Sequence, residues 1–207
     1  MACPEGKTAD GFETQFGVNH LAHFLLFQLL RPTMLASATP DFASRVVAVS
    51  SMGHRSNGIF FDDLNFSTPS NPYNPWKAYG QAKTANILMA NQITRLYSPK
   101  INGLSLHPGG IATGLQKHIP KDFFPWNDPV VIANVKSVEQ GAATSVWAAV
   151  GKELEGKGRL YLEDCQVIGP VPENSTVFDK GYKPWAMDEE AEEKLWKVSN
   201  ELVGVKE

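Results

Sequence analysis

Tyr79-Gly-Gln-Ala-Lys83-Thr-Ala-Asn86 lies in a segment from about Pro75 to Tyr97 whose apolar residues Ile87, Leu88, Ile93 and Leu96 predict a long helix. A tyrosine and a lysine four residues apart on a helix project from the same face, one turn apart. A free phenol gives up its proton only near pH ~10. An ammonium beside it favours the phenolate, so the pair could exchange a proton with a carbonyl or alcohol oxygen near neutral pH. By itself the Tyr-x-x-x-Lys spacing is common and equally describes a pair on a solvated helix.

The flanking segments narrow the reading. Upstream, Arg45-Val-Val-Ala-Val-Ser50-Ser51 is a short apolar run bounded by polar residues, the pattern of a buried strand. Its end delivers Ser50 and Ser51 to a sheet edge, where open α/β sheets place their ligands. Alternation along a strand points these two serines oppositely. Downstream, Asn102-Gly-Leu-Ser-Leu-His107 reads as a second strand, and Pro108-Gly109-Gly110 as the turn after it. Earlier in the chain, Asn19 falls within an amphipathic helix expected from about Asp10 to Leu35.

Taken in order, FETQFGVNHLAHFLL (12–26), VVAVSSMGHRSNGIFFDDLNF (46–66), YGQAKTAN (79–86), SLHPGGIATGL (105–115) and VEQGAATSVWAAV (138–150) resemble the short-chain dehydrogenase/reductase family. The likeness is to the branch with retinol dehydrogenases and WW-domain oxidoreductases. It implies the C-terminal part of a Rossmann-like, doubly wound parallel sheet of about three strands, flanked by helices in an α/β fold. It also implies hydride transfer between NAD or NADP and a small-molecule carbonyl or secondary alcohol. Carried over by motif, Tyr79 is the acid/base and Lys83 its partner, also binding the nicotinamide ribose. Ser51 holds the substrate oxygen and Asn19 serves a water relay. Pro108, Gly109, Ile111 and Thr113 approach the carboxamide end of the cofactor. The helices over 11–35 and 77–97 would pair with their copies in a homo-oligomer.

The family's opening Thr-Gly-x-x-x-Gly-x-Gly turn and its Asn-Asn-Ala-Gly motif do not occur in these 207 residues. On the resemblance, the chain is expected to lack the half that seats the pyrophosphate, and to leave the strand at 45–50 as an exposed edge. Two rival functions stand beside the redox reading. One is a non-catalytic or partner-dependent protein. The other is a cofactor-independent isomerase or cyclase using the Tyr–Ser pair, since proton transfer needs no nicotinamide.

Composition fits one soluble domain over 1–207, with 43% hydrophobic and 20% charged residues. A net charge of -3 gives no reason to expect nucleic acid. The two cysteines, Cys3 and Cys165, fit a reducing compartment. With no basic-apolar leader and no long apolar stretch, a cytoplasmic protein without a membrane partner is expected. The five histidines show no metal-ligand spacing, and no metal is expected. Further along, Ser137-Val-Glu-Gln140 predicts a capping box opening a helix to Val150. A last strand is expected over 158–163 and a charged helix over 188–203, with mostly loop at 53–76 and 170–185 and a loop with a weak helix over 114–135. The 53–76 loop is expected to line a substrate pocket.

Overall fold

The computed structural model describes residues 1–120, 123, 127–176 and 178–206. The chain opens with a single turn, α1 (Thr14–Phe16), capped by Glu13, whose carboxylate accepts from the Gln15 and Phe16 amides. A π-helical turn, Gly17–Leu21, follows and runs into α2 (Ala22–Ser37). The helix expected from Asp10 therefore starts later. Gly11 sits at φ +87, outside helical geometry, and Glu13 rather than Asp10 supplies the cap.

β1 (Ser44–Val49) ends at a 3₁₀ turn, Met52–Ser56, and the chain then crosses to α3 (Pro75–Tyr97). Asn74 caps α3 through the Trp76 and Lys77 amides, and Pro75 occupies the first turn, where its missing N–H costs nothing. Next come β2 (Ile101–His107), the two-residue β3 (Gly110–Ile111), α4 (Pro129–Asn134) and β4 (Val135–Lys136). α5 (Val138–Val150) begins with the expected Ser137–Gln140 capping box. β5 (Leu160–Glu163), β6 (Gln166–Val167) and α6 (Glu189–Val203) complete the order.

The main sheet runs β1-β2-β5-β6. β1, β2 and β5 are parallel, with Val47 opposite Leu104 and Leu106 opposite Leu162. β6 returns antiparallel through a two-residue hairpin in which Asp164 and Cys165 both have positive φ, as a type I′ turn requires. A second, two-stranded sheet pairs β3 with β4.

Strand alternation divides the core between the sheet's two faces. Leu104, Leu106 and Leu162 pack with Ala148 of α5 and Leu154. On the other face, Phe24 and Phe27 of α2, Met89 and Ile93 of α3 and Trp196 of α6 surround Ile101. α3 is buried around most of its circumference from Ala78 to Ile93, so this chain itself uses up that helix's apolar face. α2 is different: Leu26, Leu29 and Leu30 remain exposed. Of the two helices expected to pair with a second copy, α2 is the one that leaves several leucines exposed.

β1 has no second neighbour among the described residues. Beside it lies a groove of about 410 Å³, walled by α2 (His23, Leu26, Leu30), β1 itself, and Lys83 and Asn86 of α3. Among the described residues, no helix is long and apolar enough to cross a membrane.

Candidate active site

The site forms where β1, α3 and the Met52–Ser56 turn meet. As alternation requires, the two serines part. Ser50 turns inward and donates to the Lys83 carbonyl at 2.7 Å. Ser51 caps the 3₁₀ turn, its hydroxyl accepting from the Gly53 amide at 3.1 Å, and its side chain favours the ionised form of the Tyr79 phenol.

Tyr79 is buried, and burial raises its pKa while the Ser51 side chain draws it back. Lys83 lies one turn on, its Nζ 5.6 Å from the centre of the Tyr79 ring. Its ammonium donates to the Val49 carbonyl at 3.2 Å, and the Asn86 amide donates to the same oxygen at 3.0 Å. Burial lowers Lys83 to about 8. The phenol is thus not lowered in the way the pair's spacing suggests. The ammonium lies against the ring and bonds to backbone, so it has no contact with the phenol oxygen.

Asn19 lies half-buried in the π-helical turn, its amide donating to the Gln15 carbonyl at 2.9 Å and its own carbonyl taken by His23 at 2.8 Å. The structure brings Tyr79, Ser51 and Lys83 together, while the contacts of Asn19 are local to its own helix. π turns are rare and often fall at functional positions.

Pro108 and Gly109 form the turn after β2. Gly109 adopts φ +99, and the Pro108 carbonyl accepts from Lys136 Nζ at 3.2 Å. Lys136 is also paired with Asp164, which in turn pairs with Lys180. Ile111 belongs to β3, and Thr113 caps a 3₁₀ turn in a capping box with Gln116. These turn residues lie at the C-terminal end of the parallel strands, the end that also carries Ser51.

Two contributors, Trp76 and Trp185, escaped the sequence reading. Trp76 stacks on Phe123 with ring centroids 5.3 Å apart and meets Tyr79 edge-on at 6.4 Å. Its place three residues before Tyr79, on the same helix face, was the available signal. His54 and Trp185 brace the Ser51 turn. The 53–76 loop packs its Ile59, Phe61 and Leu64 against the core around Leu88 and Leu195. Gln81 ties it down through the Phe60 amide and the Leu64 carbonyl.

A parallel sheet covered by helices, with a buried Tyr-x-x-x-Lys pair near a serine at the strand ends, defines an α/β protein. The chain is 51% identical over 210 residues to the short-chain dehydrogenase/reductase prx1 of Penicillium roqueforti, covering 100% of this chain and 61% of the relative. It is 39% identical over 206 residues to retinol dehydrogenase 14 of Homo sapiens, covering 98% of this chain and 56% of the relative. A solved structure of an uncharacterised protein from Mycobacterium paratuberculosis matches with a TM-score of 0.69 at 30% identity, over 100% of this chain and 64% of that one. The chain belongs to the short-chain dehydrogenase/reductase family, and it spans about three fifths of the length of the curated relatives it matches most fully. A short-chain dehydrogenase from Shigella flexneri complexed with NADP shares the fold, with a TM-score of 0.50 at 20% identity. No protein-family model matches the chain. Among the described residues, no group of three His, Cys, Asp or Glu side chains is placed to hold a metal ion.

Proposed function

We propose that the chain carries the proton-transfer site of an oxidoreductase acting between NAD or NADP and the carbonyl or secondary alcohol of a small molecule. The observation behind this reading is the convergence of Tyr79, Ser51 and Lys83 at the strand ends. In the reducing direction, Tyr79 donates its phenolic proton to the carbonyl oxygen as that oxygen gains charge. Ser51 hydrogen-bonds the same oxygen and fixes its position. Lys83 supplies a nearby positive charge that favours the transient phenolate. Asn19 is assigned the relay that returns a proton from solvent.

The residues suit the nicotinamide end of such a cofactor. Lys83 offers donors beyond the one held by Val49, and the turn at Gly110 is open, a Cβ there meeting nothing within 4 Å. Lys83 and Tyr79 would face the ribose, and Pro108, Gly109, Ile111 and Thr113 the carboxamide. When bound, the nicotinamide supplies the hydride, while the protein supplies orientation and electrostatics. The glycine-rich turn that seats a pyrophosphate is not among these 207 residues, so dinucleotide binding by this chain alone is expected to be weak.

The test is NAD(P)H oxidation with a panel of apolar aldehydes and ketones, paired with calorimetric titration of both dinucleotides. Tyr79→Phe should abolish turnover and leave the fold intact. An active, folded Tyr79→Phe protein would remove Tyr79 from the chemistry, and turnover that persists without NAD(P) would favour the isomerase reading.

One observation favours a partner-dependent form of this function. Lys83 lines the open groove beside β1, so whatever covers that groove also completes the wall around the lysine. We take a second copy of the chain as the occupant, meeting it through the apolar stripe of α2.

A further inference from the structure

His54 takes no part in the chemistry proposed above, yet its side chain is completely buried, next to Gly53 and three residues from Ser51 in the chain. Its Nδ1 lies 2.6 Å from the Ser51 carbonyl oxygen, and its backbone amide donates to the same oxygen at 3.1 Å. A carbonyl can only accept, so Nδ1 carries the proton and the ring is the neutral Nδ1–H tautomer. Burial agrees with this, holding the imidazole far below its ordinary pKa, at about 4. The ring packs against Tyr161, centroids 5.2 Å apart.

The backbone of His54 is held as firmly as its ring. Its carbonyl accepts from Trp185 Nε1 at 2.9 Å and from Thr84 Oγ1 at 3.2 Å. Thr84 also bonds the Asn57 carbonyl at 2.8 Å, tying the far end of the turn to α3. The neighbouring Arg55 donates to the Gly181 carbonyl at 3.0 Å and faces Glu163 of β5 at 3.8 Å. The turn is therefore fixed to α3, β5 and the segment that carries Gly181 and Trp185. Within it, the Ser51 peptide is held by two donors from one residue.

We propose that His54 is a positioning residue for the Ser51–Tyr79 pair: the bond from Nδ1 to the Ser51 carbonyl fixes the Ser51 peptide plane and, through it, the direction of the Ser51 hydroxyl. This rests on the reading of Ser51 and Tyr79 as the reacting groups. His54 touches neither the phenol nor the space in front of it. Its effect passes through a single peptide unit.

The geometry supplies a discriminating pair of substitutions. An Asn amide nitrogen sits about where Nδ1 sits, while a Gln amide nitrogen sits about where Nε2 sits and misses the Ser51 carbonyl. The readout is the ¹³Cζ resonance of tyrosine-labelled protein at neutral pH, which moves with hydrogen bonding to the phenol; Tyr79→Phe assigns the signal. Ser51→Ala sets the shift produced by losing the serine. His54→Gln should move the Tyr79 signal in the same direction as Ser51→Ala, and His54→Asn should leave it at the wild-type position. In the Ser51→Ala background, His54→Gln should add no further shift, because both act on one bond. If His54→Gln does not fold, His54→Ala takes its place, too short to reach the carbonyl.

Equal spectra for the Asn and Gln variants, or additive shifts with Ser51→Ala, would overturn the role of His54. The measurement needs no turnover, so a chain that fails the NAD(P)H assay but shows the expected pattern refutes the reaction and not the positioning.

Discussion

Gly53 lies flat against the ring of Tyr79: a Cβ at residue 53 would stand 2.7 Å from Cε1 and 2.8 Å from Cδ1. The ring has little room to retreat, since Tyr79 is only 3% exposed. Gly53→Ala therefore has to push apart the turn that carries Ser51 and the helix that carries Tyr79. Overpacking of this kind costs about 1–3 kcal/mol. Urea unfolding should register that loss, and turnover should fall with it. An alanine variant with wild-type stability would mean the ring and the turn separate freely.

Acid should weaken the protein well above the carboxylate range. His20, His54 and His107 are each held below the ordinary histidine value of 6.5, at about 3, 4 and 3, with burial the first cause in each case. The unfolded chain binds protons at these histidines from pH 6.5 downward and the folded chain does not. Stability is therefore full above 6.5 and falls as pH drops towards 4. Each histidine contributes a slope of up to about 1.4 kcal/mol per pH unit. Urea midpoints at pH 7.5 and 5.5 provide the comparison, and equal values would contradict the assignment of these rings as neutral.

Lys83→Met should stabilise the isolated chain at pH 7 while removing activity. Burial lowers Lys83 to about 8, so keeping the ammonium charged at neutral pH works against folding. Because the groove leaves the side chain partly open to solvent, the gain is about 1 kcal/mol. At pH 9.5 the folded wild type has largely shed this proton, while much of the unfolded chain still holds it. Wild-type stability therefore rises between pH 8 and 10, and the advantage of methionine narrows. A lower urea midpoint for Lys83→Met at pH 7 would show that the Val49 bond outweighs desolvation.

Association should depend on α2. Leu26, Leu29 and Leu30 are 52%, 69% and 47% exposed on one helix, beside the edge of β1 that has no neighbour among the described residues. The proposed assembly is a symmetric pair, the commonest arrangement for identical chains. Sedimentation at micromolar concentration should find a dimer or larger species, and Leu30→Asp should shift it towards monomer. A stable wild-type monomer would defeat this proposal.

Much of the architecture was legible where a local rule applied. The strands over 44–49 and 101–107 announced themselves as apolar runs, α3 through the spacing of its apolar residues, and Ser137–Gln140 formed the box its spacing implies. Ser50 and Ser51 part because strand geometry requires it. Features built from distant or unusual backbone did not show. The β3–β4 pair joins two dipeptides across more than twenty residues, and two residues hold no periodicity. The Asp164–Cys165 hairpin uses positive φ without a glycine. The π turn around Asn19 depends on one extra residue per turn, invisible in a pattern scored for 3.6. The direction of the Lys83 ammonium was equally hidden, because spacing gives a shared helix face but no hydrogen-bond partner.

The β5–β6 hairpin has a bearing on how far association can proceed. It closes one side of the sheet with a strand of only two residues, Gln166–Val167, whereas the opposite side ends on six residues of β1. A sheet with two long free margins can recruit copies without end and grow into a fibre. This one offers a long margin on a single side, so union through it consumes the only extended adhesive strand among the described residues. A pair formed through β1 would therefore be finite: two sheets joined edge to edge, each bounded outside by a hairpin too short to template another.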